Sequence, residues 1–351
     1  MATVIEMMQQ QTEFIACLRD QLQRHPAMDS RDVCKLCYQA ACGAEHLLTD
    51  HAAAWARLQQ EWAETPVRDE PLYEPLSATY CRVNLGAWKG QGLPVEWLFR
   101  IFTGGTPCGA PNVGLYLDWA EPVLKSCGFS MDQWRDFRAQ YESDGMPALH
   151  HSEAYRAAEQ PAYRLAERRY MVLLPILQQL ATMPTAVIAI DGQAGAGKST
   201  LAQLLAQVLG AGVVYMDDFF LPPFLRTAER LAEPGGNVHY ERFVEQVLPY
   251  LKKPAVFSYD RFDCSVMQYN GVRQVADAPY RIVEGSYSHH PHFEDYMNLR
   301  VFVSVDAAEQ MRRIRIRNGA DMAERFRKEW IPMEEQYFAA YAVRNRADII
   351  L

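Results

Sequence analysis

The chain has 351 residues, of which 49% are hydrophobic, and its formal net charge is −8. This length allows two domains with sizeable cores, and the negative charge argues against nucleic acid and anionic membranes as partners. No apolar run approaches the roughly 18 residues that cross a bilayer. The first residues lack the basic start and the long apolar centre of a signal peptide. We therefore expect a cytoplasmic protein that binds neither nucleic acid nor membranes.

Residues 1–165 are predicted to form a mainly helical domain whose role the sequence does not reveal. Apolar residues at helical spacing, Phe14, Leu18 and Leu22, predict a first helix, and the polar stretch Asp29–Asp32 can cap a second. Further helical patterns cover residues 47–62, 95–102, 112–127 and 131–141.

Cysteines are concentrated in this half, where Cys34, Cys37 and Cys42 lie close to His46. Their spacing permits a zinc site. However, residues 32–42 read as one continuous helix and lack the separated knuckles of a structural zinc site. In a cytosolic chain of this size, cysteines are more often reduced thiols than disulfides. We therefore predict thiols buried along a helix.

Two polar stretches interrupt the apolar patterns of this half. They are Arg82-Val83-Asn84 and His150-His151-Ser152-Glu153, the latter followed by Tyr155, Tyr163 and Arg164. Each can be a polar site or a structural loop, because buried polar side chains need partners in either case. The sequence leaves both interpretations open, and residues 1–165 resemble no family.

A connecting helix and linker at 166–184 are predicted to lead into a strand, a glycine-rich turn and a helix over residues 185–209. The turn matches the pattern G-x-x-x-x-G-K-[ST] without a mismatch. Its residues, with the one that follows, are Gly192, Gln193, Ala194, Gly195, Ala196, Gly197, Lys198, Ser199 and Thr200. Glycines let successive backbone N–H groups face phosphate oxygens, and the start of the helix adds its positive dipole end. The pattern therefore predicts that these residues bind ATP.

Two side chains of this turn have predicted chemical roles. Lys198 can reach the β- and γ-phosphates, and the Ser199 hydroxyl can bind Mg²⁺. The sequence thus predicts ATP and Mg²⁺ as cofactors.

After the turn, strand and helix patterns alternate. Strands are predicted at 212–216, 254–259, 280–283, 299–305 and 347–351, and helices at 240–251, 307–317 and 321–342. This alternation predicts an α/β fold for residues 185–351, with a mostly parallel sheet flanked by helices. Ligands of such sheets bind at the carboxyl ends of the strands.

Polar motifs follow the predicted strands at those ends. Asp217 and Asp218 follow the second strand, where a carboxylate can accept a proton from an attacking hydroxyl or hold Mg²⁺ through water. The same pair could instead cap the segment that follows. Glu284 ends another apolar strand in the manner of a Walker B acid. A later helix carries four arginines in six positions, among them Arg313 and Arg317 on one face. Such like charges suit an anionic ligand between them, although a solvated helix face has the same pattern.

Together these motifs resemble, in order and spacing, the uridine kinase / phosphoribulokinase family of P-loop small-molecule kinases. The Asp-Asp-Phe-Phe element is similar to that of nicotinamide riboside kinase. The resemblance covers residues 185–351 and implies a P-loop kinase fold. It implies that Asp217 is the catalytic base, that Ser199 and Glu284 lie on the magnesium side, and that Lys198 and the lid arginines act on the phosphates. The lid arginines are Arg312, Arg313 and Arg317.

The resemblance also points to an acceptor site. The residues concerned are Asp218, Tyr240, Glu241, Arg242 and Tyr259. Tyr240-Glu241 stands where riboside kinases carry Tyr-Asp, so the chain departs from that pattern by one methylene. His289, His290 and His292 could line the same pocket, but the sequence favours a surface loop over a metal triad.

The function implied is an ATP- and Mg²⁺-dependent kinase that phosphorylates a hydroxyl of a small molecule, with a nucleoside or riboside as the leading class. One alternative is a kinase for a non-nucleoside metabolite such as pantothenate, a sugar or an amino-acid derivative. The other is an NTP-hydrolysing regulatory or binding protein. The sequence leaves open whether the chain forms a homodimer.

Overall fold

The computed structural model describes residues 2–44, 50–105 and 112–351, with side chains from residue 7 onward. The chain divides into two compact units, Met1–Leu174 and Pro175–Leu351. No helix in the described part of the chain is both long and apolar enough to cross a membrane. The domain limits drawn from the sequence, 1–165, 166–184 and 185–351, stay a prediction.

The N-terminal unit combines helices with one small sheet. Its helices are α1 (Ala2–Arg24), α2 (Ser30–Cys42), α3 (His51–Glu64), α4 (Leu85–Gly90), α5 (Val95–Thr103), α6 (Val113–Ser126), α7 (Met131–Ser143) and α8 (Glu153–Glu159). Its strands are β1 (Tyr73–Pro75), β2 (Tyr80–Asn84) and β3 (Tyr163–Glu167), which pair antiparallel in the order β1-β2-β3. The predicted cap of the second helix is confirmed, because Asp29 accepts from the backbone N–H groups of Arg31 and Asp32.

The small sheet is absent from the sequence prediction. Residues 166 and 167, predicted to begin a connecting helix, instead end β3, and a 3₁₀ segment (Arg168–Leu173) follows. All five residues of β2 are buried, as are four of the five in β3. A strand buried on both faces lacks the alternation of apolar and polar residues that would identify it.

The buried cysteines on α2 confirm the helical interpretation. Cys34 and Cys37 are fully buried, and burial raises the pKa of the Cys34 thiol to about 12, so the group stays protonated. None of the described cysteines forms a disulfide. His46, which the zinc interpretation needs, lies outside the described residues.

The C-terminal unit is built on a five-stranded parallel sheet. Its strands are β4 (Ala186–Gly192), β5 (Gly212–Tyr215), β8 (Tyr280–Glu284), β9 (Leu299–Val303) and β10 (Ile349–Ile350), in the order β10-β9-β4-β8-β5. The remaining strands, β6 (Phe257–Asp263) and β7 (Gln268–Val275), form a separate antiparallel hairpin. Strand β4 is central and buried along its whole length. The α/β fold with a parallel sheet is thereby confirmed.

Helices connect these strands. They are α9 (Leu174–Leu180), α10 (Lys198–Leu209), α11 (Ala228–Ala232), α12 (Tyr240–Gln246), α13 (Ala307–Asn318), α14 (Ala320–Arg325) and α15 (Ile331–Ala340). The strand predicted at 254–259 exists in shifted form, but it belongs to the hairpin. Its partner β7 is exposed along most of its length, so no apolar pattern marked it in the sequence.

Candidate active site

The glycine-rich turn between β4 and α10 has a backbone that only glycine can adopt at its first position. Gly192 has a φ of 138°, and a Cβ there would lie 2.1 Å from the carbonyl oxygen of Val303. At the other end, Gly197 has a φ of 103° and caps α10 without a side-chain hydrogen bond. The first backbone N–H groups of α10 therefore remain available to an anion, which is favoured at a helix N-terminus.

Lys198 lies against the inner side of this turn. Its ammonium group donates to the carbonyl oxygens of Gly192 at 2.7 Å and Gln193 at 3.0 Å, and to the hydroxyl of Ser286 at 3.1 Å. The side chain is largely buried. A cation is thus held at the carboxyl end of the central strand.

Ser199 and Glu284 meet across the same end of the sheet. The Ser199 hydroxyl lies 3.2 and 3.3 Å from the two carboxylate oxygens of Glu284, which ends β8. Burial, reinforced by the nearby charge of Asp217, raises the pKa of Glu284 to about 7, although Lys198 opposes the shift.

This pair suits Mg²⁺, which takes one or two protein oxygens and fills its other positions with water and phosphate. The described residues contain no group of three or more His, Cys, Asp or Glu side chains arranged to hold a metal. A metal at Ser199 and Glu284 would therefore share its coordination with a bound triphosphate.

The two acidic residues after β5 have different surroundings. The Asp217 side chain keeps an exposed face, yet crowding by protein atoms raises the pKa of its carboxyl group. The neighbouring Asp218 raises that pKa as well, whereas Lys198 and Arg317 lower it. Asp217 is therefore placed where a substrate hydroxyl could reach it.

Asp218 is buried, and its carboxylate is held by side chains of the β6–β7 hairpin. Its carboxylate accepts from the Arg273 guanidinium at 2.5 Å and from the Tyr259 hydroxyl at 3.1 Å. Arg261 contributes a further ion pair at 3.8 Å. Asp218 thus anchors β6 and β7 beside the site.

The three predicted lid arginines differ in what they contact. Arg313 reaches the glycine-rich turn, with its guanidinium 3.4 Å from the carbonyl oxygens of Gly195 and Ala196. The charge of Arg317 acts on Asp217. Arg312 is exposed and pairs with Glu309. The structure therefore brings Arg313 and Arg317 to the site and leaves Arg312 on the outer side of α13.

The predicted acceptor residues fall into two groups. Arg242 donates to the backbone oxygens of Asp218 and Asp260, so it joins Asp218 and Tyr259 in one cluster. Tyr240 and Glu241 belong to a second cluster, in which Arg230 donates to Glu241 at 2.7 and 3.0 Å. The Arg230 guanidinium also lies 3.6 Å from the centre of the Tyr240 ring.

The sequence favoured a surface loop for the histidines after β8, which is correct for the exposed His292 and wrong for His289 and His290. His289 and His290 are buried, and the His290 ring stacks with those of Tyr240 and Tyr337. Residues following a strand at the carboxyl end of a parallel sheet pack against the neighbouring connections. That setting explains why His289 and His290 are buried although they are polar.

Two acidic residues support the turn and were not singled out in the sequence. Asp191 is fully buried, and its carboxylate accepts from the backbone of Gly192 and from the Tyr337 hydroxyl at 2.7 and 2.8 Å. Glu334 accepts from the backbone N–H of Ala194 at 2.9 Å and from the Ser286 hydroxyl at 2.6 Å. Asp191 could have been found from its position beside the turn. Glu334 could not, because it follows the turn by 140 residues.

The fold and the turn define the class as an α/β protein with a phosphate-binding loop. No family model matches the chain, and no curated protein matches it. A solved structure of a proposed uridine kinase from Bacillus stearothermophilus is 20% identical, with a TM-score of 0.40 and coverage of 52% of this chain and 97% of that chain. A proposed fructose transport system kinase from a Silicibacter species is 23% identical, with a TM-score of 0.41 and coverage of 52% and 98%.

Both neighbours are described as kinases and match about half of this chain. At this identity and these TM-scores, the likeness carries no argument for an activity or a substrate.

Proposed function

We propose that the C-terminal unit transfers the γ-phosphate of ATP, with Mg²⁺, to a hydroxyl group of a small molecule. One observation carries the proposal: Lys198, the Ser199–Glu284 pair and the accessible Asp217 carboxyl group belong to one site at the carboxyl end of the sheet. Phosphoryl transfer needs mainly positioning and charge neutralisation. These groups supply a phosphate cradle, a metal position and a base.

Each residue has a role in this proposal. Lys198 exchanges the carbonyl oxygens of its own turn for phosphate oxygens, and Arg313 and Arg317 offset the charge that develops on the transferred group. Mg²⁺, held through Ser199 and Glu284, would neutralise charge on the phosphates. Asp217 accepts the proton of the attacking hydroxyl, and its raised pKa brings it closer to the range in which a general base works near neutral pH.

A nucleoside or riboside is the acceptor class that we propose first, on the strength of the sequence resemblance. The pair that would bind ribose hydroxyls, Tyr240 and Glu241, already has partners within the chain. Glu241 pairs with Arg230, and the Tyr240 hydroxyl lies 3.3 Å from Glu233. Binding a ribose there requires Glu241 to leave Arg230, or Arg230 to move with it.

The proposal is tested by measuring ADP release from ATP and Mg²⁺ with panels of nucleosides, ribosides, vitamins, sugars and amino-acid derivatives. We expect one panel to stimulate ADP release in proportion to phosphorylated product. Asp217→Asn should lower that rate by roughly 10²–10⁴-fold with little change in ATP affinity. Asp321→Asn, at an exposed position on α14, is the matched control and should retain full activity.

Two outcomes would contradict the proposal. One is slow ATP hydrolysis that no acceptor stimulates, which would favour a nucleotide-dependent regulator. The other is full transfer by Asp217→Asn, which would remove Asp217 from the reaction. A hit confined to sugars or vitamins would keep the kinase and exclude the nucleoside class.

A further inference from the structure

The N-terminal unit contains an inner polar cluster, which we define as Asp32, Gln39, Arg82, His151 and Tyr163. It joins both polar stretches noted in the sequence, although about 70 residues separate them. Strand pairing places Arg82 on β2 opposite Leu165 on β3. The segment before α8 brings His151 to Asp32 in the first turn of α2. Four of the five side chains are buried or nearly so, and Tyr163 is partly exposed.

Three members of the cluster form a continuous hydrogen-bonded chain. The His151 Nδ1 atom lies 2.8 Å from Asp32 Oδ1, and its Nε2 atom lies 2.7 Å from the Tyr163 hydroxyl oxygen. An ionised carboxylate can only accept, so Nδ1 carries the hydrogen and Nε2 accepts the hydroxyl hydrogen of Tyr163. The Asp32 carboxylate is also held by Ser152, whose hydroxyl donates at 2.6 Å.

The protonation states agree with this arrangement. Burial lowers the pKa of His151 to about 4, even though the hydrogen bond to Asp32 opposes the shift. Burial would raise the pKa of Asp32, but hydrogen bonds from His151 and Ser152 lower it to about 2. At neutral pH the imidazole is therefore an uncharged base. The order carboxylate, imidazole, hydroxyl is that of a catalytic triad, with a phenol in the place of serine.

The other two members act on the same phenol. The Gln39 side-chain amide donates to the Tyr163 hydroxyl oxygen at 3.0 Å, and the Arg82 guanidinium lies 4.6 Å from the centre of the Tyr163 ring. A hydrogen bond to the oxygen and a cation over the ring both favour negative charge developing on that oxygen. The environment of Tyr163 thus combines a base with two stabilising groups.

The cluster also contains one buried positive charge, that of Arg82. Arg82 is 3% exposed, and its hydrogen bonds go to the uncharged side-chain oxygens of Gln39 and Gln21. In the described part of the chain it forms no ion pair. Buried charges normally have an opposite charge as partner. The acid Glu74, whose charge acts on Arg82, is itself paired with Arg24 at 2.9 Å, so Arg82 favours an anionic ligand.

We propose that this cluster is a second reactive site, in which Tyr163 is the nucleophile in group transfer from an anionic compound with an activated acyl or phosphoryl group. The Tyr163 oxygen forms a bond to the electrophilic carbon or phosphorus while the bond to the leaving group breaks. The hydroxyl proton passes to His151 Nε2 and then to the leaving group. Water releases the transferred group by the reverse proton transfers. Asp32 and Gln39 are positioning residues, and Arg82 attracts the anion.

The test is covalent labelling of the full chain with 4-(fluorosulfonyl)benzoate at pH 7, with the modified tyrosines identified by mass spectrometry. We expect Tyr163 to react at least about tenfold faster than the exposed Tyr250 and Tyr269, because a general base contributes that much or more. Loss of fluoride from the sulfonyl group follows the same proton route. Equal rates at the three tyrosines would overturn the proposal.

Matched variants distinguish activation of the Tyr163 hydroxyl from an effect on folding. His151→Asn removes the base and should abolish the rate advantage, whereas His150→Asn, at the exposed neighbouring position, should retain it. Asp32→Asn tests the same point while preserving the shape of the side chain. Its amide would donate to Nδ1 and leave Nε2 protonated, so the base is lost. If folded Asp32→Asn keeps the wild-type rate, the triad interpretation is wrong.

A second comparison addresses the charge of the ligand. Benzenesulfonyl fluoride, which is neutral, should label Tyr163 several-fold more slowly than the anionic probe, and this preference should disappear in Arg82→Gln. Equal labelling by the two probes in the wild-type chain would exclude an anionic substrate.

Discussion

Lys198 donates hydrogen bonds to two carbonyl oxygens of its own turn and to Ser286, and all three can be exchanged for phosphate oxygens. Substituting methionine preserves the length of the side chain and removes its charge. Lys198→Met should therefore lower phosphoryl transfer by roughly 10²-fold or more, because charge stabilisation is a large part of catalysis. ATP-dependent product formation by this variant and by the wild type is the measurement. Retention of full activity would contradict the phosphate role of Lys198.

His151 gives the N-terminal unit a specific dependence on pH. The unfolded imidazole titrates near its ordinary pKa of 6.5, and the folded one near 4. Between these values the unfolded chain binds the extra proton, so the free energy of unfolding falls as the pH falls. The loss should reach about 3 kcal/mol by pH 4. Below that pH the contribution of this residue is constant, and Asp32 begins to titrate.

Urea unfolding at pH 7, 5.5 and 4.5 measures this dependence through tryptophan fluorescence, because six of the seven tryptophans precede residue 175. His151→Asn should flatten the pH dependence, whereas His150→Asn should leave it unchanged. An unaltered slope in His151→Asn would show that other groups cause it.

At the scale of single residues, the sequence predicts those site residues whose role depends on their immediate neighbours in the chain. The turn Gly192–Ser199 is recognisable because its residue types and spacing are themselves the binding geometry. Asp217 and Glu284 are found because each lies at the carboxyl end of a strand. The opposite case is Glu334, whose contact with the turn depends on the whole unit having folded. The sequence around Glu334 shows an ordinary helical pattern, so nothing in it marks this residue.

At the scale of elements, α15 is the helix whose side chains hold the glycine-rich turn in place. Glu334 and Tyr337 are three positions apart, so they project from one face of the helix and contact Ala194 and Asp191. Their neighbours Glu335 and Gln336 are exposed. Helices α13 and α14 lead into α15 through residues 326–330. The helix that carries Arg313 and the helix that supports the turn therefore lie on one stretch of chain.

Glu334→Gln tests this support. The amide oxygen can still accept from Ala194, but the amide N–H would face the Ser286 hydroxyl that now donates to Glu334. The substitution also removes a buried negative charge near Lys198. We expect a loss of about 1–3 kcal/mol in the free energy of unfolding of the C-terminal unit, together with slower transfer, because Ser286 also holds Lys198. Glu329→Gln, just before α15, is the matched control, because Glu329 is exposed and pairs with the exposed Arg325; it should change stability by less than about 0.5 kcal/mol. Equal effects in Glu334→Gln and Glu329→Gln, measured by urea unfolding followed by circular dichroism, would contradict a supporting role for Glu334.

The elements that the sequence missed share a physical cause. Strands β2 and β3 are buried on both faces, and β7 is exposed on both, so none shows the alternation that identifies a half-buried strand. The parallel sheet was predictable because its strands are apolar runs separated by helices with clear caps and periodicity. The order of strands within a sheet is set by packing between distant segments, so no local sequence pattern predicts it.

At the scale of the whole molecule, each unit has its own hydrophobic core, one centred on α2 and α6 and the other on the parallel sheet. Ligand binding stabilises only the state that binds, by about 2.7 kcal/mol at a concentration 100 times the dissociation constant. If ATP binds at Gly192–Ser199, calorimetry should show an unfolding transition raised by about 5–10 °C with ATP and Mg²⁺. Tryptophan fluorescence, which reports mainly the N-terminal unit, should show little shift.

Two core substitutions show which unfolding transition belongs to which unit. Leu205→Ala on α10 and Leu117→Ala on α6, both at fully buried positions, should each lower one midpoint, since such cavities cost about 2–5 kcal/mol. The shift caused by ATP should belong to the transition that Leu205→Ala lowers, and it should be absent in Lys198→Met. A shift in the transition lowered by Leu117→Ala would place nucleotide binding in the N-terminal unit. That result would leave the glycine-rich turn without its proposed ligand and would make the cluster around Arg82 the next place to look for an anion.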